Sequence, residues 1–217
     1  MKGKPDTLFV FGDSIVYGRF DMEMGGWVDR LKLWGNKIIV ETKRARWVNV
    51  YNLGIAGGTT DEALPRIKAE VEERMGEHDM LYIVFAFGIN DMALHVVTEK
   101  RSVAPEIFLT NLKKLIEISR ALSGTPIFLT ATPVNEATKG VPNERGEIRT
   151  NKDIEMYNDI IRTVCSEERV EVIDVYKKFS EVGQENLIFP EGLHPNAKGH
   201  ELIFNLVRDH FTKKLGL

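Results

Sequence analysis

Ser14 and His194 are the residue types from which acyl-transfer chemistry is built, and they lie near opposite ends of a 217-residue chain. A serine hydroxyl is a weak nucleophile near neutral pH and needs an adjacent base, usually imidazole, to take its proton. The tetrahedral intermediate then needs N–H donors aimed at its oxyanion. Asn90 can supply such an amide, and Gly54 lets a backbone N–H come close because no Cβ stands in the way. Each residue taken alone has a plainer role. Ser14 could cap a helix, Asn90 and Asp91 could cap a turn, Gly54 could serve backbone geometry, and His194 could be a loop residue before a helix-starting Pro195. What favours chemistry is their joint placement, at strand ends and in the C-terminal loop.

The elements that must position them alternate along the chain. Apolar runs at 7–11, 47–54, 79–88 and 125–131, and an alternating run at 170–174, read as strands. The run at 79–88 is apolar almost throughout, as a central parallel strand buried on both faces should be. Pro126 is confined to the beginning of its strand. Between the strands, Trp27, Leu31 and Trp34 have helical spacing, with Gly35 read as a stop. Further helices carry Leu64, Ile67 and Val71; Ile107, Phe108, Leu112, Leu115, Ile116 and Ile118 over 104–122; an apolar face over 152–167; and Leu202, Ile203, Leu206, Val207 and Phe211 after Pro195. Residues 135–150 form a turn-rich loop of the length that is usually functional. Alternating β and α units imply one α/β domain over 1–217, a parallel sheet with helices on both sides. All strand C-termini then point to one edge, where Ser14, Gly54, Asn90 and His194 can meet.

Composition narrows the function classes. Hydrophobic residues make up 43% and charged residues 28%, ordinary for a globular protein. A net charge of −3 gives no electrostatic reason to expect a nucleic-acid partner. One cysteine and five histidines cannot build a Cys-rich zinc site or an internal disulfide. Cys165 falls among Ile160, Ile161 and Val164 and reads as core. His78, His95, His200 and His210 show no metal spacing, and no metal or cofactor is expected. Neither a signal-peptide h-region nor an apolar run near the ~20 residues of a membrane span is visible, so a cytoplasmic location is the default expectation.

Four ordered blocks, Gly12-Asp13-Ser14, Asn52-Leu53-Gly54, Gly88-Ile89-Asn90-Asp91 and Gly192-Leu193-His194-Pro195, resemble those of the SGNH/GDSL hydrolases across essentially the whole chain. The resemblance implies a flavodoxin-like three-layer α/β/α sandwich with a five-stranded parallel sheet. It maps the nucleophile to Ser14, the general base to His194, and the oxyanion donors to the backbone N–H groups of Ser14 and Gly54 and the side chain of Asn90. Where the family usually has aspartate, three residues before the histidine, this chain has Glu191. A glutamate there can orient and stabilise the imidazole equally well. The alternatives are Asp174 as the acid, or a histidine oriented by a backbone carbonyl. Asp13 is expected to fix the turn rather than touch substrate.

The implied activity is that of a serine esterase on a small-molecule ester, with short acyl or acetyl groups favoured because no long apolar lid segment is present. Loops 17–27, 92–103 and 134–150 are expected to form the pocket walls. Thioester or lysophospholipid hydrolysis, acyl transfer to an acceptor other than water, and a catalytically silent binding protein of the same fold are the alternatives. A flavin- or nucleotide-binding domain would want a phosphate-cradling loop after the first strand, and this one turns apolar at Ile15-Val16. A homo-oligomer is left open.

Overall fold

A computed structural model of the chain describes residues 4–78 and 80–217. Residues 1–3 and Asp79, which the sequence places before the first strand and at the start of the third apolar run, lie outside the described residues. The elements run β1 (Asp6–Gly12), α1 (Ser14–Tyr17), α2 (Trp27–Glu41), β2 (Val48–Gly54), α3 (Thr60–Glu72), β3 (Leu81–Ala86), β4 (Leu94–His95), β5 (Lys100–Arg101), α4 (Pro105–Ala121), β6 (Thr125–Leu129), α5 (Glu136–Lys139), β7 (Glu147–Ile148), α6 (Asn151–Glu168), β8 (Glu171–Ile173), α7 (Val175–Val182) and α8 (Ala197–Leu215).

The main sheet has five strands in the order β2-β1-β3-β6-β8, and every neighbouring pair is parallel. Leu8, Phe9, Val10 and Phe11 of β1 and Ile83, Val84 and Phe85 of β3 are fully buried, which is why these strands occupy the centre. Register places Phe11 opposite Phe85 and Phe85 opposite Phe128. Their rings form a file across one sheet face, with centroids 6.0 Å and 5.0 Å apart. Helices α2 and α8 pack together, while α3, α4 and α6 form a second row. Right-handed crossovers put these rows on opposite faces, giving the expected three-layer α/β/α sandwich. The chain changes direction between β1 and β3. In such sheets, ligands bind at that switch point beyond the strand C-termini.

Two features depart from the sequence expectation. Helix α2 does not stop at Gly35 but runs through it to Glu41. A Cβ on Gly35 would lie 2.6 Å from the carbonyl oxygen of Val48. The glycine therefore permits close helix–strand approach instead of ending the helix. The segments expected to be loop also fold further: β4, β5 and β7 make a small antiparallel sheet, pairing Leu94 with Ile148 and His95 with Glu147. Within α4 the buried stripe is Phe108, Leu112, Leu115 and Ile116, and Ile107 is 46% exposed. Among the described residues, no helix is long and apolar enough to cross a membrane.

Candidate active site

Ser14 directly follows β1 and opens α1. The Asp13 side chain caps that helix, accepting from the Ile15 N–H at 2.8 Å. At the far end of the chain, the loop before α8 is closed by the Phe189 N–H donating to the His194 carbonyl at 2.8 Å. A bridge between Ile188 and Pro195 closes it further. Asn196 then caps α8, accepting from Lys198 and Gly199. These two termini bring residues 180 positions apart together: Ser14 Oγ lies 2.7 Å from His194 Nε2.

His194 Nδ1 is 2.7 Å from Glu191 Oε1. A carboxylate only accepts hydrogen bonds, so Nδ1 carries the proton and Nε2 is left to accept from the serine hydroxyl. Glu191 Oε1 also accepts from the His194 main-chain N–H at 2.6 Å, and Oε2 from the Leu193 N–H at 3.0 Å. The Lys139 ammonium stands 3.2 Å from Oε2. Burial would raise the pKa of this carboxyl, but hydrogen bonds from the His194 ring and backbone, with Lys139, hold it down at about 2. Glu191 is thus ionised whenever the imidazole can act as a base. Asp174, the alternative acid, sits elsewhere. It caps α7, accepting from the Lys177 N–H, and pairs with Arg162 at 3.0 Å.

Phe20 braces the imidazole from the side. Its ring stacks on Phe189 with centroids 4.4 Å apart and lies 5.0 Å from the His194 ring. Phe20 holds a left-handed backbone, φ 65°, a strained conformation of the kind that clusters at functional sites. The loop carrying it is anchored by fully buried His200. The Nδ1 of His200 accepts from the Trp27 N–H at 3.3 Å, and its Nε2 donates to the Arg19 carbonyl at 2.9 Å. An Nδ1 that accepts from an N–H belongs to a neutral ring, and burial lowers the pKa in the same sense.

Opposite the imidazole stands Asn90, 9% exposed. Its Nδ2 donates to the Gly58 carbonyl at 3.2 Å, and its Oδ1 accepts from Arg149 Nη2 at 3.3 Å. Neighbouring Asp91 ties the start of α3 to the loop after β3, accepting from the Thr60 N–H at 2.8 Å, the Thr60 hydroxyl at 2.6 Å and the Gly88 N–H at 3.1 Å. Burial raises the pKa of Asp91 to about 6 against these bonds. Asp13 is raised further by its burial, to about 7, partly offset by the Ile15 hydrogen bond.

Gly54, expected among the donors, is corrected by the geometry. Its N–H is engaged by Asn52 Oδ1 at 3.1 Å, and a Cβ on it would lie 2.3 Å from the Tyr17 nitrogen. Gly54 is a packing glycine beneath α1. The cleft beside Ser14, Asn90 and His194, of about 530 Å³, is reached instead by Ala56 and Gly57. Gly57 has φ +80° and nothing within 4 Å of a built Cβ. Among the described residues its N–H meets no acceptor. Of the expected walls, loop 17–27 contributes Arg19 and Phe20, and loop 134–150 contributes Asn143, Glu144, Arg145, Glu147 and Arg149. Segment 92–103 does not line the cleft but forms the β4–β5 hairpin beside it.

Gly57, Lys139 and Arg149 were not singled out from sequence. The signal for Gly57 was available, since Gly57-Gly58 leads into a Thr59/Glu62 capping box that opens α3. Cys165 is buried, as expected, and burial pushes its thiol up to about 12. His95 meets Glu147 at 3.8 Å, and His210 meets Glu171 at 3.1 Å. Among the described residues, no group of three or more His, Cys, Asp or Glu side chains is placed to hold a metal ion.

Residues 10–202 match the model of the GDSL-like lipase/acylhydrolase family. The chain belongs to that family. An uncharacterized lipoprotein of Bacillus subtilis is 27% identical, over 92% of this chain and 89% of its own. A GDSL esterase/lipase of Arabidopsis thaliana is 27% identical over 90% of this chain and 75% of its own. The isoamyl acetate-hydrolyzing esterase of Saccharomyces cerevisiae is 24% identical over 91% and 82%. Among solved structures, the lipase/acylhydrolase from Enterococcus faecalis superposes with a TM-score of 0.75 at 25% identity, covering 96% of each chain. Membership and relatives together support a hydrolase acting on esters.

Proposed function

We propose that this protein is a serine esterase that hydrolyses short-chain carboxylic esters through an acyl-enzyme on Ser14. The observation that carries the reading is the continuous relay from Ser14 Oγ to His194 Nε2 and from His194 Nδ1 to Glu191 Oε1, both steps 2.7 Å. His194 takes the Ser14 proton as Oγ attacks the ester carbonyl, and Glu191 stabilises the imidazolium that forms. The oxyanion is received by the Ser14 N–H, which as the first amide of α1 has no intrahelical acceptor, with the Gly57 N–H and Asn90 Nδ2. His194 next protonates the leaving alcohol, then activates water to release the acid.

A short acyl group fits a cleft walled by Arg19, Asn143, Glu144, Arg145, Glu147 and Arg149, since a long alkyl chain would find little apolar surface to cover it. The yeast relative's named ester, isoamyl acetate, carries an acyl group of this size. The test is a panel of p-nitrophenyl esters of increasing acyl length, run on wild type and Ser14→Ala. Activity greatest at acetate or butyrate and absent from Ser14→Ala supports the proposal. Near-normal hydrolysis by Ser14→Ala refutes the nucleophile, and a preference for long chains refutes the substrate class.

A further inference from the structure

The amide oxygen of Asn90 accepts a hydrogen bond from a residue 59 positions further along the chain. Arg149 follows β7 and is 7% exposed. Its Nε donates to the Ile89 carbonyl at 2.9 Å, its Nη1 meets Glu147 Oε2 at 3.2 Å, and its Nη2 donates to Asn90 Oδ1 at 3.3 Å. The main-chain N–H of Arg149 donates to the Lys139 carbonyl at 2.8 Å. The guanidinium is therefore held at two points besides Asn90, and the residue's backbone at a third.

An asparagine amide has two orientations related by a half-turn, and only one presents N–H groups to a nascent oxyanion. Guanidinium donates and never accepts, so the oxygen of Asn90 must face Arg149. The Gly58 carbonyl accepts and never donates, so the nitrogen must face Gly58. Both neighbours select the same orientation, and one Nδ2 hydrogen remains after Gly58 is satisfied. A cation behind the carbonyl oxygen also polarises the amide and strengthens its N–H as a donor.

We propose that Arg149 is a positioning residue for the oxyanion donor Asn90, locking its amide with the nitrogen presented to the tetrahedral intermediate. The inference rests on the esterase reading above. Arg149 also joins β7 to the loop after β3, so loss of activity alone would not separate orientation from folding.

The discriminating experiment is a double-mutant cycle with Arg149→Met, Asn90→Ala and the double variant, measuring kcat, KM and Tm with p-nitrophenyl acetate. A lost oxyanion donor lowers kcat by ~10²–10³. Arg149→Met, which leaves the donor present but oriented by the Gly58 carbonyl alone, should lower kcat by ~10–100-fold with KM changed by less than about threefold. In the Asn90→Ala background the same change should lower kcat by no more than about twofold, because no amide remains to orient. Arg149→Lys, which keeps one donor for Oδ1, should recover part of the lost kcat. If Arg149→Met does not fold, Arg149→Lys takes its place in the cycle, with the same non-additivity expected. A kcat for the folded Arg149 variant within about twofold of wild type, or a full additional loss on Asn90→Ala, overturns the proposal. Wild-type kcat in Asn90→Ala itself would instead overturn the oxyanion reading on which it rests.

Discussion

Replacing Glu191 by glutamine keeps the shape of the side chain and removes its charge, which makes it a direct probe of the relay. In the native site, Oε1 faces two donors, the His194 N–H and the Nδ1–H, and Oε2 faces two more, the Leu193 N–H and the Lys139 ammonium. An amide nitrogen in either place opposes donors with donors. At Oε1 it would also favour the wrong imidazole tautomer, leaving Nε2 protonated and unable to accept from Ser14. The electrostatic loss follows from the distance: an imidazolium and a carboxylate in contact, with charge centres ~4 Å apart, attract by about 4 kcal/mol at an effective dielectric of ~20. At about 1.4 kcal/mol per tenfold, this corresponds to a kcat lower by ~10³. Steady-state hydrolysis of p-nitrophenyl acetate by folded Glu191→Gln, with Tm followed in parallel, measures it. A loss of less than about tenfold would refute the view that the ionised Glu191 stabilises the developing imidazolium.

The two glycines at the end of β2 should separate cleanly. Gly57→Ala has room for its methyl group but must hold φ +80°. It should stay folded, with about 1 kcal/mol of strain and a reduced kcat as its N–H tips. Gly54→Ala must push against the Tyr17 nitrogen at 2.3 Å and should lower the unfolding free energy by ~1–3 kcal/mol. The reverse pattern in kcat and Tm would return the donor role to Gly54. Asp13 tests the buried carboxyls. Its pKa is raised from 3.8 to about 7, so the folded state resists its ionisation and this group lowers stability as pH rises from about 4 to 7. Asp13→Asn keeps an oxygen for the Ile15 N–H. Its stability relative to wild type should therefore increase across that window, by at most ~4 kcal/mol. Denaturant unfolding at pH 5 and pH 8 giving the same difference would refute this.

The sheet was readable because its central strands are buried on both faces and carry near-continuous apolar runs, and because glycine-containing turns mark their ends. Ser14 and Asn90 stand out for the same reason, each lying next to such a boundary, whereas His194 lies in the loop before α8 and is legible only through its block and its pairing with the others. Gly35 reads as a helix stop because a glycine that ends a helix and one that lets a helix touch a strand look alike locally. Only the Val48 carbonyl across the interface distinguishes them. Gly54 fails similarly: its neighbour Asn52 takes its N–H, and that engagement depends on α1 folding back over β2. Helix α7 was missed because its eight residues, beginning at Val175, are fixed by the Asp174 cap more than by a long apolar stripe. Glu191 was legible as an acid at the right spacing, while the four donors around it arise from a loop whose shape no local pattern encodes.

The excursion after β6 connects the two arms of the site. Lys139 at the end of α5 reaches the Glu191 carboxylate beside His194, and Arg149 after β7 reaches the Asn90 amide. The backbones of the two residues are joined by the Arg149 N–H donating to the Lys139 carbonyl. The same excursion is fastened to the core by Asn151, whose Oδ1 accepts from the Val134 N–H at 2.9 Å and whose Nδ2 donates to the Val134 carbonyl at 3.0 Å. A segment that supplies one cation to each side of the cleft, with a backbone hydrogen bond between the two residues, would transmit a displacement of either to the other. Substitutions at its exposed turn, residues 142–146, are therefore expected to alter specificity through the cleft wall they form. Substitutions at Lys139 or Arg149 should alter turnover, because those two side chains touch Glu191 and Asn90, to which the proposed mechanism gives the imidazole and oxyanion.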